Sequence, residues 1–412
     1  VQQLESLNEV ETEKVILAIF QHGWLIRNRL SLYSSLGNHT VAECVGLIMA
    51  GAVFKDQYPS RDWIDIGVKL LEQECRHQIL DDGGPVEQSF SYHRFVLDLY
   101  WLVIHFLTDN NLHDCSQMLR RVEKGEEFLR TIQHKKESLP MIGDSDDGFA
   151  LAPELVPRRG TEGGSKFSDL VVLPDSGYSV FRGGKGLRLI FDHGPLGMEP
   201  LNNHGHADGL SVFLSVGDKD FFIDPGTYQY NGDPDLRRYF KSTQAHNTVC
   251  INQADQACQL TGFIWDHSYS ISWDKRVDEH GCTEIEAVLD GYVKQNIPVY
   301  HKRAVRLGKK NDVTIKDTFD GRGIHEYALY FHLHPEVEVR QHDHGLSLVN
   351  GDVELFLQID DENVSVVKGG KDTNLGWYSP EYGVREATNT IKVIKKGRPE
   401  KTSFLSLIQL VT

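Results

Sequence analysis

The sequence predicts an α+β chain in two parts, a helical first third followed by a large antiparallel β region. Three observations carry this. Apolar residues recur at helical spacing up to about residue 135. A stretch rich in Gly, Pro and Asp, "SLPMIGDSDDGFALAPELVPRRGTEGGSKFSD", then interrupts the pattern. Beyond it, short segments with β-branched and aromatic residues are separated by Gly, Asn or Asp turns.

In order along the chain, helical stripes run through 10–33, 40–53, 60–79, 88–107 and 112–134. In "RDWIDIGVKLLEQECRHQIL" the residues Ile64, Val68, Leu71, Cys75 and Ile79 step by three or four, and Ser60 is positioned as the N-cap. Later segments such as "GYSVFRGG", "LRLIFDHG", "HNTVCIN", "CTEIEAVLDGYV", "EYALYFHLHPEVEV", "DVELFLQID" and "TSFLSLIQL" read as strands of a sandwich-like β region. The expected division is 1–140 helical, 141–165 linker and 166–412 antiparallel β, with function in the groove between the two parts.

Composition narrows the partners. A formal net charge of −16 leaves no cationic surplus for general nucleic-acid binding, and no apolar run approaches the ~20 residues of a membrane helix. The six cysteines lack paired metal spacing and read mostly as buried thiols. The opening residues carry no initiator Met and no signal-like segment, so they read as the inside of a longer precursor.

Several constellations could carry chemistry. "NNHGHADG" presents His204 and His206 two residues apart, on one face of a regular strand or diverging from a turn. Asp224, in "FFIDPGTYQY", follows a Gly217-Asp218 turn that folds it back toward His206, and "AHNTV" delivers His246 at another strand start. Two histidines and a carboxylate suit a tetrahedral zinc site, while hydrogen-bonded strand-end histidines and a turn-forming Asp-Pro-Gly are the plainer alternative.

In "SLGNHTVAEC", Asn38 and His39 follow a glycine at a helix start, where a carboxylate is welcome, although Asn38 can equally be a cap. The Asn38-His39-Thr40 sequon is discounted for want of a secretory signal. "DGGPVEQSFSYH" brings Glu87, Gln88 and Ser89 to a helix start with Tyr92 and His93, a polar density that points to a bound polar group, whereas a lone Tyr is more often packing. His267, His332, His334, His342 and His344 read as core or strand-surface histidines, and the basic cluster Arg237, Arg238 and Lys241 as either a substrate patch or a solvated loop.

"GNH", "DGG..EQS..YH", "NNHGHAD", "FFIDPGTYQY" and "AHNTV", in this order over residues 30–260, resemble the heparinase II/III-like polysaccharide lyases, a group with related alginate lyases. The resemblance implies an incomplete (α/α) toroid followed by an antiparallel β-sandwich, and cleavage of uronic-acid polysaccharides such as heparan sulfate by β-elimination to 4,5-unsaturated products. It implies Asn38 and His39 as the carboxylate-neutralising pair, Tyr92 and His204 as catalytic, and His206, Asp224 and His246 as ligands of a structural Zn2+. It also implies a periplasmic or secreted bacterial setting and an acidic polysaccharide partner; charge and composition add no nucleic acid and no membrane, and a homodimer is left open.

The chemistry asks for these residue types. A uronate C5 proton is abstracted only once the neighbouring carboxylate is neutralised, an oxyanion-hole task. Tyr92 could act as base and acid together if nearby positive charge lowered its pKa from about 10; otherwise His39 or His204 is the base and Tyr92 the acid. Gln88, Tyr228, Tyr230, Arg238 and Trp265 are the expected sugar contacts, since aromatic faces stack on pyranoses and guanidinium forks match carboxylates or sulfates. The acidic net charge favours a lightly sulfated polymer over heparin. An alginate lyase and a catalytically silent carbohydrate binder are the alternatives.

Overall fold

The computed structural model describes residues 7–33, 35–54, 57, 59–133, 139–152, 168–277, 282–361, 363–371 and 373–411. Much of the expected linker, 153–165, lies outside them.

Five helices occupy the first third: α1 (Glu9–Asn28), α2 (Asn38–Val53), α3 (Trp63–Gln78), α4 (Phe90–Asp109) and α5 (Ser116–Ile132). Helix α1 opens with a capping box in which Asn8 and Glu11 satisfy each other's backbone amides at 3.0 Å. The role expected of Ser60 is corrected: residues 60–62 form a separate 3-10 turn, the N-cap of α3 is Asp62, and the Ser60 hydroxyl donates back to the carbonyls of Phe54 and Gln57. Trp63 packs where α1 has only Gly23, beside Phe20 and Phe54.

Backbone contacts divide the chain into two compact units; the boundaries at 92/93 and 126/127 cut through α4 and α5, while those at 148/149 and 162/163 fall within the expected linker. One unit comprises Val1–Gly83, His93–Glu126 and Phe149–Glu162; the other comprises Gly84–Tyr92, Glu127–Gly148 and Gly163–Thr412. The start of α4, with Tyr92, and the Gly-Asp stretch 143–148 therefore belong with the β elements.

In that second unit, a five-stranded antiparallel sheet runs in chain order through Leu170–Leu173, Tyr178–Arg182, Leu187–Asp192, Val212–Val216 and Lys219–Phe222. An eight-stranded sheet orders Glu338–His342, Gly345–Asn350, Val353–Ile359, Ser403–Val411, Asp312–Gly321, Val299–Leu307, Thr283–Leu289 and Ile271–Val277. A four-stranded sheet orders Val364–Lys368, Asn389–Gly397, His325–His332 and Val249–Ile251. Alternation set the large sheet: Val313, Ile315 and Phe319 on one strand meet Ile285, Val305, Leu355, Leu357, Phe404 and Ile408 in a common core.

One polar position in that core positions the site. Asp317 occupies an inward place in the alternation, fully buried, and is paired with Arg303 through bonds of 2.7 and 3.0 Å and with His301 at 2.7 Å. The remaining guanidinium nitrogen of Arg303 donates to the carbonyls of Leu210 and Asn247. Asn247 in turn donates to the carbonyls of Val212 and Ile223 and accepts from the amide of His332. Through these bonds the buried pair is tied to Ile223, beside Asp224, and to Asn247, beside His246.

Candidate active site

The two histidines of "HGH" lie outside any strand, in an irregular turn. A side chain at Gly205 would put its Cβ 1.5 Å from the Leu196 carbonyl oxygen, so only glycine lets the chain pass between the two rings. Both imidazoles reach one carboxylate, Asp144: His204 Nδ1 at 3.3 Å and His206 Nε2 at 3.0 Å. Asp144 also accepts from Arg237 Nη1 and Nη2 at 2.6 and 2.8 Å and from the Thr227 hydroxyl at 2.8 Å. Its backbone is locked too, since its amide donates to the His204 carbonyl and Gly143 before it has φ +65° with no room for a Cβ. Burial alone would raise the Asp144 carboxyl, but the Arg237 charge and the bonds from His204, His206 and Arg237 outweigh it and hold the group well below the usual carboxylate range.

On the outer side of this hub, the Tyr92 ring stacks on His204 with centroids 3.9 Å apart and planes inclined by 26°. The Tyr92 hydroxyl meets that of Tyr230 at 3.1 Å, and His204 Nε2 lies 4.0 Å from Glu87. Burial pushes the Tyr92 hydroxyl above its usual value, against the modest pull of the Tyr230 bond, and the charges of Asp144, Asp146 and Glu87 add to the rise. The lowered pKa that would let Tyr92 serve as base is therefore absent; the group is held protonated at neutral pH.

On the inner side, His206, Asp224 and His246 are all buried and their ligand atoms lie within 4.8 Å of one another. His246 Nδ1 bonds Asp224 Oδ2 at 2.9 Å, while Asp224 Oδ1 accepts the Gly226 amide. The opposite nitrogens, His206 Nδ1 and His246 Nε2, are buried without a hydrogen-bond partner among the described residues. Burial also pushes His206 down to about 4, despite the pull of Asp144, so it is a neutral ring at neutral pH. Two orphaned imidazole nitrogens beside a carboxylate, one of them backed by a second carboxylate, fit a zinc ion with one further position open.

The other expected contacts separate. Tyr228, at φ +63°, stacks on Phe240 and faces Arg385. Arg238 is exposed on helix α6 (Pro234–Lys241), whereas its neighbours Arg237 and Lys241 are buried, so the expected basic patch is one surface cation and two interior ones. Two expectations are corrected. The Gln88 amide is spent on the Pro85 and Ser176 carbonyls and the Tyr178 hydroxyl, leaving nothing for a sugar. Trp265 is 1% exposed, its Nε1 donates to the Gly205 carbonyl, and Lys241 sits over its ring, so it braces the "HGH" turn.

Asn38 and His39 begin α2 in the helical unit, after Gly37 as N-cap; Asn38 is buried and His39 exposed. His332 is a buried core histidine bonded to Gln244 and Thr390, His267 is half-buried and His344 exposed.

Asp144 went unmarked in the sequence because "MIGDSDDGF" reads as a turn-rich linker. Arg237 was separable in principle: with Leu236 and Phe240 forming an i, i+4 apolar pair, Arg237 and Lys241 flank it one position on.

Helices followed by antiparallel sheets, with a histidine-carboxylate hub between a Tyr-His stack and a metal-type triad, place the chain in the class of folds that join helices to a β-sandwich. The chain belongs to the heparinase II/III-like family: residues 166–405 match the family described as "Heparinase II/III-like, C-terminal" and residues 7–152 match "Heparinase II/III N-terminus". A "Heparin-sulfate lyase" of Bacteroides stercoris is 23% identical over 248 residues, 54% of this chain and 37% of the relative. One from Bacteroides thetaiotaomicron is 23% identical over 262 residues, with the same 54% and 37% covered. The crystal structure of Heparinase III superposes with TM-score 0.77 at 18% identity, over 98% of this chain and 65% of that one. The heparan sulfate lyase HepC from Pedobacter heparinus gives 0.71 at 18% identity, over 95% and 62%. The chain thus spans less than two thirds of the length of these relatives and structures, and the likeness in structure establishes the shared fold.

Proposed function

We propose that the protein is a polysaccharide lyase that cleaves a heparan-sulfate-like glycosaminoglycan by β-elimination. The observation that supports this best is the Tyr92-His204 stack with Asp144 behind it. A His204 that donates its Nδ1 proton to Asp144 keeps Nε2 as a base, and a Tyr92 held protonated is an acid beside it. In the proposed step His204 takes the C5 proton, the C5–H electron pair becomes the C4–C5 double bond, and the C4–O bond breaks. Tyr92 gives its proton to the departing oxygen. For Asn38 and His39 we keep the carboxylate-neutralising role that the family resemblance implies. A periplasmic or extracellular setting belongs to the same proposal.

Zn2+ would be held by His206, Asp224 and His246, where it would act as a structural cation that fixes the turn presenting His204. His206→Ala is expected to abolish zinc retention and lower the melting temperature by several degrees, read by elemental analysis and thermal unfolding. A wild-type protein that takes up no zinc on dialysis, and whose melting a chelator leaves unmoved, would remove the metal from the proposal.

The function is tested by incubating the protein with heparan sulfate, heparin, hyaluronan and alginate and following the ultraviolet absorbance of the unsaturated product. We expect absorbance with the glycosaminoglycans, strongest with heparan sulfate. Activity on alginate alone would overturn the substrate class, and silence on every polymer would leave a carbohydrate binder in place of an enzyme.

A further inference from the structure

Beside the reacting pair lies a cleft of about 350 Å³ whose wall includes Tyr230, Arg237, Arg238, Gln259, Leu260 and Phe263. It begins at the tyrosine whose hydroxyl touches that of Tyr92. Its far wall, the loop 259–263, is fixed in advance of any ligand: the Gly262 carbonyl accepts from Arg237 Nε at 2.9 Å and Lys241 Nζ at 3.1 Å, and Gln259 donates to the Arg238 carbonyl and Asp255. Phe263 lies 5.4 Å from Tyr230, ring to ring, yet keeps 37% of its surface open.

Charge on this wall is unevenly available. The Arg237 guanidinium lies over both the Tyr230 and Phe263 rings and is neutralised by Asp144. Lys241 is fully buried over Trp265, and burial pushes it down to about 7. Arg238 alone among the cleft's cations is exposed, and no side-chain bond or ion pair holds it among the described residues. A partly exposed aromatic ring beside one solvent-exposed guanidinium, whose charge also reaches buried Asp255, is chemistry that can grip an acidic pyranose.

We propose that this cleft is a subsite for the sugar next to the reacting bond, in which Phe263 supports the ring and Arg238 holds one anionic substituent, a sulfate or a carboxylate. The inference rests on the lyase reading and deepens it: with one cation to offer, the subsite selects a singly charged ring over a multiply sulfated one. Arg238 is then a specificity-determining residue rather than part of a diffuse basic patch.

The test uses oligosaccharides that differ only in N-sulfated against N-acetylated glucosamine, with the wild type, Arg238→Gln and Arg238→Lys, each checked for unchanged melting. Arg238→Gln is expected to lower kcat/KM for the sulfated substrate about tenfold more than for the acetylated one, mainly through KM, with partial recovery in Arg238→Lys. An equal loss on both substrates, again recovered by Lys, assigns the anion to the uronate carboxylate and supports the subsite. Changes within about twofold on both, or a loss that Lys does not recover, overturn it. If the wild type cleaves nothing, the lyase reading fails on its own. The cleft is then tested by calorimetric titration of the sulfated oligosaccharide into wild type and Arg238→Gln, and equal affinity overturns the subsite.

Discussion

Tyr92→Phe is expected to lower turnover by about 10²- to 10⁴-fold on whichever uronate polymer the wild type cleaves, the usual worth of a positioned proton donor. The substitution removes one oxygen and leaves the stack on His204, 3.9 Å between centroids, free to form. KM should move little, because a hydroxyl that acts on the departing oxygen is used mainly in the transition state. Tyr230→Phe serves as the comparison. It removes the other half of the 3.1 Å hydroxyl pair and should cost much less, since the Tyr92 proton remains. Initial rates of ultraviolet absorbance, with far-ultraviolet circular dichroism to confirm folding, decide the matter. A Tyr92→Phe enzyme with more than about a tenth of wild-type turnover would remove Tyr92 as the acid.

The fold was readable where one face of an element is buried and the other wet. Ile285, Ala287 and Leu289 are buried in alternation with the half-buried Glu284, Glu286 and Val288 on one strand of the large sheet, and a period of two carries that information locally. The strand Leu187–Asp192 is buried throughout and offered only an apolar run. The triad of His206, Asp224 and His246 was left open by residue type and spacing, beside plain strand-end hydrogen bonding, and only the family resemblance carried by the short motifs implied it. Asp144 was not legible, because its meaning lies in partners 60 to 93 residues away and in a burial that no local pattern announces. Gln88 and Trp265 failed as sugar contacts for the converse reason: residue type suggested recognition, while the tertiary structure had already claimed their polar atoms.

Asp144→Ala carries the second large effect, on stability as well as activity. Removing the carboxylate leaves Arg237, 3% exposed, with its charge uncompensated among the Tyr230 and Phe263 rings, and such one-sided loss of a buried pair costs about 3–5 kcal/mol. The native-state pKa of Asp144 lies below its unfolded value, so its contribution is fully present above the ordinary carboxylate pKa of 3.8 and fades as pH falls below it. The gap in unfolding free energy between wild type and Asp144→Ala should accordingly be wide at neutral pH and narrow in acid, measured by urea unfolding across that range. Asp144→Asn separates shape from charge: it can still accept from one side, but its weaker hold on His206 should lower zinc affinity by about 10- to 100-fold, as loss of a ligand's supporting carboxylate does elsewhere. It should also lower turnover, because His204 loses the partner that keeps Nε2 free of its proton. A destabilisation below about 1 kcal/mol for Asp144→Ala at neutral pH would mean that Arg237 finds another partner, and Asp144 would then not be the hub that ties the metal-type triad to the Tyr92-His204 stack.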